Sequence, residues 1–166
     1  QARIRIGDQE FPVSLGNERR LVVVEARPSG VYLAPFQGHF TRDELDLIDV
    51  QGDGLVLGRL LPTKPVSPGD SWEPPHNALT ALLNLDAVTQ SEVHCKLVEF
   101  KDRLGQMELE GTLSGAIGGV ATELAVKAKY SFDMTQRQVT WLAMSLKEDR
   151  AIGHAEPGLD VRARIR

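Results

Sequence analysis

The hydrophobic pattern of this chain is clearest between Val120 and Arg166, where it writes out a sheet in order. Within Glu123–Phe132, Leu124, Val126, Ala128, Tyr130 and Phe132 share one parity, while Glu123, Lys127, Lys129 and Ser131 take the other. A period of two is the mark of a strand with one buried face. A turn at Asp133–Arg137 leads to a second strand, Gln138–Glu148, and a loop closed by Pro157-Gly158 leads to a third, Leu159–Arg166. A sheet needs at least three paired strands to be stable, so the rest of the chain is expected to be built onto this stretch. Gln138–Glu148 is apolar on both faces, with Val139, Trp141 and Ala143 on one and Leu142, Met144 and Leu146 on the other. That predicts a cover over each face.

Upstream, Ser91–Lys101 alternates Val93, Cys95 and Leu97 with His94 and Lys96, although Val98 and Phe100 put apolar groups on the second face. Gln106–Ile117 places Met107, Leu109, Leu113 and Ile117 on one side, with Gly111 and Gly115 in phase. Glycines in phase thin one face of a strand and allow bending or the close approach of another element. Gly118-Gly119 makes the next turn. At the N-terminal end, Ala2–Ile6 is a strand followed by a turn signal at Gly7-Asp8, and Glu10–Leu15 and Arg20–Ala26 predict a hairpin across Gly16-Asn17. Leu21–Val24 is β-branched and apolar throughout, so a central position in a sheet is expected. Gly30–Ala34 is a further short strand, closed by Pro35.

Two segments break the period of two. Thr41-Arg-Asp-Glu44 is a capping box, opening a short helix over Arg42–Val50 with Leu45 and Ile48 on one face. Asn77–Leu85 reads as a short helix capped at Asn77, or else as the start of a strand. Between them, Leu60–Trp72 carries three prolines in seven positions, which forbids a helix and gives an extended path. Pro68-Gly69 is a type II turn signal, Asp70 can bond back to its backbone, and the Trp72 indole N–H needs a partner. A structural clasp tying the N-terminal half to the sheet is preferred here over a ligand-stacking tryptophan.

Composition changes this picture little. The 166 residues, 42% of them hydrophobic, fit one β-rich domain over 1–166. A net charge of −4 gives no case for nucleic acid, and Arg162, Arg164 and Arg166 on the last strand read as a water-facing surface. No apolar run is long enough to span a bilayer. The single Cys95 cannot form an internal disulfide. The chain opens on Gln1, so a processed or excised piece is expected, with any leader or anchor removed upstream and the natural protein free to continue past Arg166.

Catalytic chemistry has no sequence signature here. There is no Gly-x-Ser-x-Gly elbow, and His39, His76, His94 and His154 lack metal-ligand spacing. His94 and Cys95 point to opposite faces of their strand, which argues against a thiolate–imidazole pair. The acidic run Asp43, Glu44, Asp46, Asp49 and Asp53 lacks the ligand order of a calcium loop. No catalytic, cofactor or metal residues are assigned.

The order Thr41-Arg-Asp-Glu-Leu45, then Leu61-Pro-Thr-Lys-Pro-Val-Ser-Pro-Gly-Asp-Ser-Trp72, then a long antiparallel meander resembles a group of uncharacterised bacterial extracytoplasmic proteins of planctomycete type, secreted or lipid-anchored. The meander is also similar to the lipoprotein-carrier (LolA-like) half-barrel, a curved antiparallel sheet with helices on its concave face. These resemblances imply an extracytoplasmic location but bring no site residues. The expected fold is a strongly curved antiparallel sheet, half-barrel or barrel-like, with one or two short helices packed on it. The expected function is a non-enzymatic binding or interaction module whose partner is a lipid, another apolar small molecule or a protein. The alternative is a hydrolase whose site assembles only in three dimensions. Expected apolar lining comes from Trp72, Leu124, Val126, Tyr130 and Phe132, with Trp141 or else Leu142, Met144 and Leu146, depending on which face turns inward. Either the helices plug that hollow, or a gap remains for an acyl chain.

Overall fold

The computed structural model describes residues 2–6, 9–27, 30–48, 54–154 and 158–165. The chain divides into two compact units, Gln1–Val50 and Gln51–Arg166.

In the first unit, β1 (Ala2–Ile6) pairs antiparallel with β2 (Gln9–Val13), and β3 (Val22–Arg27) pairs with β4 (Gly30–Pro35). The hairpin expected across Gly16-Asn17 is therefore not formed. A single 3-10 turn, Asn17–Arg19, occupies that connection; β2 pairs with β1 and β3 with β4 instead. Nor does Leu21–Val24 lie in the middle of a sheet: β3 belongs to a two-stranded ribbon, and Leu21, Val23 and Val24 are exposed. β-branched content gives strand propensity, but it does not by itself place a strand centrally.

The helix α1 (Arg42–Ile48) starts as its sequence dictates. Thr41 Oγ1 accepts from the Glu44 amide at 3.3 Å, and Glu44 Oε2 accepts from the Thr41 amide at 2.9 Å. The same carboxylate reaches much further along the chain. It accepts from the Gly16 amide at 2.8 Å and from Arg19 Nε at 2.7 Å. One buried carboxylate thus satisfies donors from the helix start and from the 3-10 turn. The end of the expected helix at Val50, and Asp49 and Asp53 of the acidic run, lie outside the described residues.

The second unit is one open antiparallel sheet, not closed into a barrel. Its elements are β5 (Ser71–Trp72), β6 (Ala87–Ser91), β7 (His94–Lys101), β8 (Leu104–Ile117), β9 (Val120–Asp133), β10 (Gln138–Arg150) and β11 (Leu159–Ile165). The strand order is β11-β10-β9-β8-β7-β5, and β6 pairs with the far half of β8. The meander β8–β11 follows the alternation read from the sequence, with Leu124, Val126, Ala128 and Tyr130 buried along β9. The β8–β9 hairpin turns on Gly118 and Gly119, whose φ of 58° and 75° favour glycine.

Three irregularities mark where alternation fails. Register shifts fall between Leu97 and Glu99, between Val139 and Trp141, and between Val88 and Gln90. Each inserts one residue and reverses the parity beyond it. Phe100 thereby returns to the face that carries Leu97. Val139 joins the face of Leu142, Met144 and Leu146, while Trp141 turns outward and is 41% exposed. Among the described residues no cover lies over Trp141, and of the three residues read onto a second face of β10 the bulge returns only Val139 to the first.

The in-phase glycines allow close approach. A Cβ on Gly111 would stand 2.3 Å from the Glu92 carbonyl oxygen, and one on Gly115 would stand 2.4 Å from that of Ala87. Both contacts come from the β6–β7 segment where it crosses β8, so any side chain there would force the strands apart.

One face of the sheet is covered by the 3-10 helix Gly54–Leu60 and by α2 (His76–Leu83). Pro75, not Asn77, stands at the N-cap of α2, and Asn84 closes it in the left-handed region with φ 51°. Eight residues are too few to hold a helix by propensity. Burial holds it: Ala78, Leu79, Leu82 and Leu83 are 1% exposed or less. Each such leucine contributes roughly 1.5–3 kcal/mol. In the core beneath, Cys95 and Tyr130 are both fully buried. The Tyr130 hydroxyl has no nitrogen or oxygen partner and lies beside the Cys95 thiol. Burial pushes the thiol up to about 11 and the phenol upward too.

A candidate apolar groove under the proline strap

The proline run behaves as its residues require. Asp70 N donates to Ser67 O at 3.0 Å, with Pro68 and Gly69 at the corner and Gly69 at φ 100°, the geometry of a type II turn. Asp70 Oδ2 accepts from the Ser67 amide at 2.8 Å. At the other end, Trp72 Nε1 donates to the Leu60 carbonyl at 2.8 Å. The strap Leu61–Pro68 is thus a loop pinned at both ends. Its clasp closes inside the second unit, from the 3-10 helix to β5.

Under this strap lies a groove of about 560 Å³. Its floor follows from sheet register: Phe100, Gly105 and Phe132 stand in one cross-strand row, and Leu97 and Met107 in the next. In the first row Gly105 stands between two phenylalanines and leaves the space a side chain would fill. Met134 closes one side. The strap supplies Leu61, Val66 and three prolines as the roof, with Lys64 as the one charged side chain of the lining. Phe100 and Met134 are 49% and 46% exposed. The groove is therefore open to solvent, and apolar surface is left uncovered within it.

The expected lining residues separate into three groups. Leu124, Val126, Tyr130, Met144 and Leu146 are buried in the packed core with α2. Trp72, Phe132 and Leu142 are half-buried against that core, and of these Phe132 lines the groove. Trp141 is on the outer face. The space lies beside the helix, under the strap. Phe100, Gly105, Met107 and Met134 were not singled out from sequence as lining. Their signal was the apolar residue on the "wrong" face at Phe100, which the bulge at Val98 explains.

Among the described residues no cluster of three or more His, Cys, Asp or Glu side chains could hold a metal ion. Among them, too, no helix is long and apolar enough to cross a membrane. His94 is exposed while Cys95 is buried, so the two are on opposite faces as the alternation requires. Comparison with protein-family models, with curated proteins and with solved structures finds no match.

Proposed function

We propose that this chain is a non-enzymatic, extracytoplasmic binding module that carries an apolar ligand, such as a lipid acyl chain, in the groove under the proline strap. The observation that carries the proposal is the row Phe100–Gly105–Phe132, a gap between two aromatic rings roofed by a pinned, proline-stiffened loop. Pockets for small ligands span roughly 300–1,000 Å³ and are lined mainly by apolar side chains with few polar groups. The groove meets both conditions. A strap anchored before binding also lowers the ordering cost of capture. The extracytoplasmic part of the proposal rests on the sequence resemblance.

Gly105 supplies the test. A Cβ there would make ordinary contacts, 3.6 Å to Leu97 Cδ1 and 3.8 Å to Met107 Cε. Gly105→Leu should therefore fill the groove without breaking the strand. Native mass spectrometry with lipid extraction is expected to find apolar mass on the parent protein. That mass should be lost in Gly105→Leu and in Phe132→Arg, with far-UV circular dichroism unchanged. No bound mass, together with no saturable uptake of an added fatty acid, would overturn the reading.

A further inference from the structure

The outer face of the second unit holds a different kind of depression. Sheet register aligns Ala125, Lys147 and Arg162 in one cross-strand row and Lys127, Ser145 and Arg164 in the next. Neighbouring strands lie about 4.8 Å apart and residues two apart along a strand about 7 Å. Four long cations thus stand around two short side chains, Ala125 and Ser145. The result is a notch of about 580 Å³ whose lining includes no carboxylate.

Existing ion pairs engage two of these four cations and leave two uncommitted. Lys127 Nζ is 2.9 Å from Glu110 Oε1, a pair that is 64% and 66% exposed. Arg162 Nε is 3.8 Å from Asp160 Oδ1, too far for a hydrogen bond. Lys147 and Arg164 have no ion-pair partner among the described residues. Acids of the same face border the notch: Glu110 stands in the Lys127 row, and Glu123, Asp149 and Asp160 form the row beyond Lys147.

We propose that this notch binds a phosphate group. A tetrahedral dianion can present oxygens to cations on all three strands at once, which a planar carboxylate cannot. Guanidinium forks match phosphate oxygens in pairs, and an ammonium acts beside them as a point charge. The Ser145 hydroxyl, held only by a long 3.4 Å contact to the Lys127 carbonyl, adds a donor on the floor. A single notch fits one phosphate; a nucleic-acid backbone would call for a repeating basic stripe. This site is independent of the apolar groove, which opens on the other face.

The test is an amide-resolved NMR titration of the whole chain with inorganic phosphate at constant ionic strength. Saturable shifts are expected at Ser145, Lys147 and Ala163. None is expected at Lys129, a lysine of the same face 2.9 Å from Glu108. Lys147→Gln with Arg164→Gln changes only exposed side chains and should weaken binding about tenfold or more, as loss of charge-assisted hydrogen bonds does. An unchanged spectrum for the core amides certifies the fold of that variant. Phosphatidic acid vesicles, which present a phosphate monoester, would assign the group to a lipid headgroup if they displace inorganic phosphate, and failure to displace it would assign a soluble phosphate. Shifts that never saturate, that include Lys129 equally, or that survive the double substitution would overturn the proposal.

Discussion

At the scale of single residues, Glu44 joins the start of α1 to the 3-10 turn in the first unit. The Thr41 amide first, then Arg19 and the Gly16 amide, hold its carboxyl at about 2, against an ordinary value of 4.5. A folded-state value below the unfolded one means the contribution is present above about 4.5 and is lost as pH falls toward 2. The Gly16 amide reports this directly, since its hydrogen bond ends on Glu44 Oε1. Its proton shift is expected to titrate with a midpoint near 2 and to lose that step in Glu44→Gln. A midpoint near 4.5 would place the carboxylate in water. Half of this arrangement was legible in advance: Thr41 and Glu44 are three residues apart, a spacing with a known geometry. Gly16 and Arg19 were not, because they lie 28 and 25 residues away from their partner, beyond any local signal.

Among elements, strands were easier to read than their partners or their faults. Alternation in 123–132 marked the buried side of β9 because the pleat gives each residue a fixed face. Pairing in the first unit could not be read the same way, since Gly16-Asn17 looks like a turn whether or not the flanking strands meet across it. Bulges were hidden for a related reason: an extra residue at Val98 or Thr140 is visible only in register with the neighbouring strand. The groove lies beyond such a bulge, so Phe100 was assigned to the wrong side and its pairing with Gly105 was invisible. The strap, by contrast, was legible down to its turn, because proline and glycine fix backbone angles wherever they occur. Its anchor can be tested. Trp72→Phe keeps an aromatic side chain, smaller by the pyrrole ring, and removes the donor to Leu60, a residue only 1% exposed. The loss is expected to be about 1–3 kcal/mol, the penalty for an acceptor left unmet, read from urea unfolding. A change near zero would show that the clasp is replaced by solvent.

For the whole molecule, the division of apolar burial decides what can stand alone. Every buried hydrophobic side chain among the described residues falls between Val56 and Leu146, inside the second unit. In the first unit Leu21, Val23, Val24, Leu33 and Phe36 are all at least 40% exposed, on or beside two-stranded ribbons that rarely persist unaided, and so is Leu45 on α1. Residues 51–166 expressed alone are therefore expected to unfold in one cooperative thermal transition, at a temperature within a few degrees of the full chain. Loss of that transition would mean that 1–50 supplies part of the core.

The core also contains its own clock. Cys95 is the chain's only cysteine, is fully buried beside the Tyr130 hydroxyl, and holds its proton up to about pH 11. A thiol reagent attacks the thiolate, so the native molecule offers it neither access nor the reactive species. Each molecule becomes reactive only while β7 is parted from what lies over it, when the thiol returns to an ordinary acidity. The rate of labelling therefore counts openings of the sheet, one modification per excursion at high reagent concentration. At low concentration the same rate measures the fraction of time spent open. No dye, tag or substitution has to be introduced, and ligands of either face can be ranked by how far they slow the count.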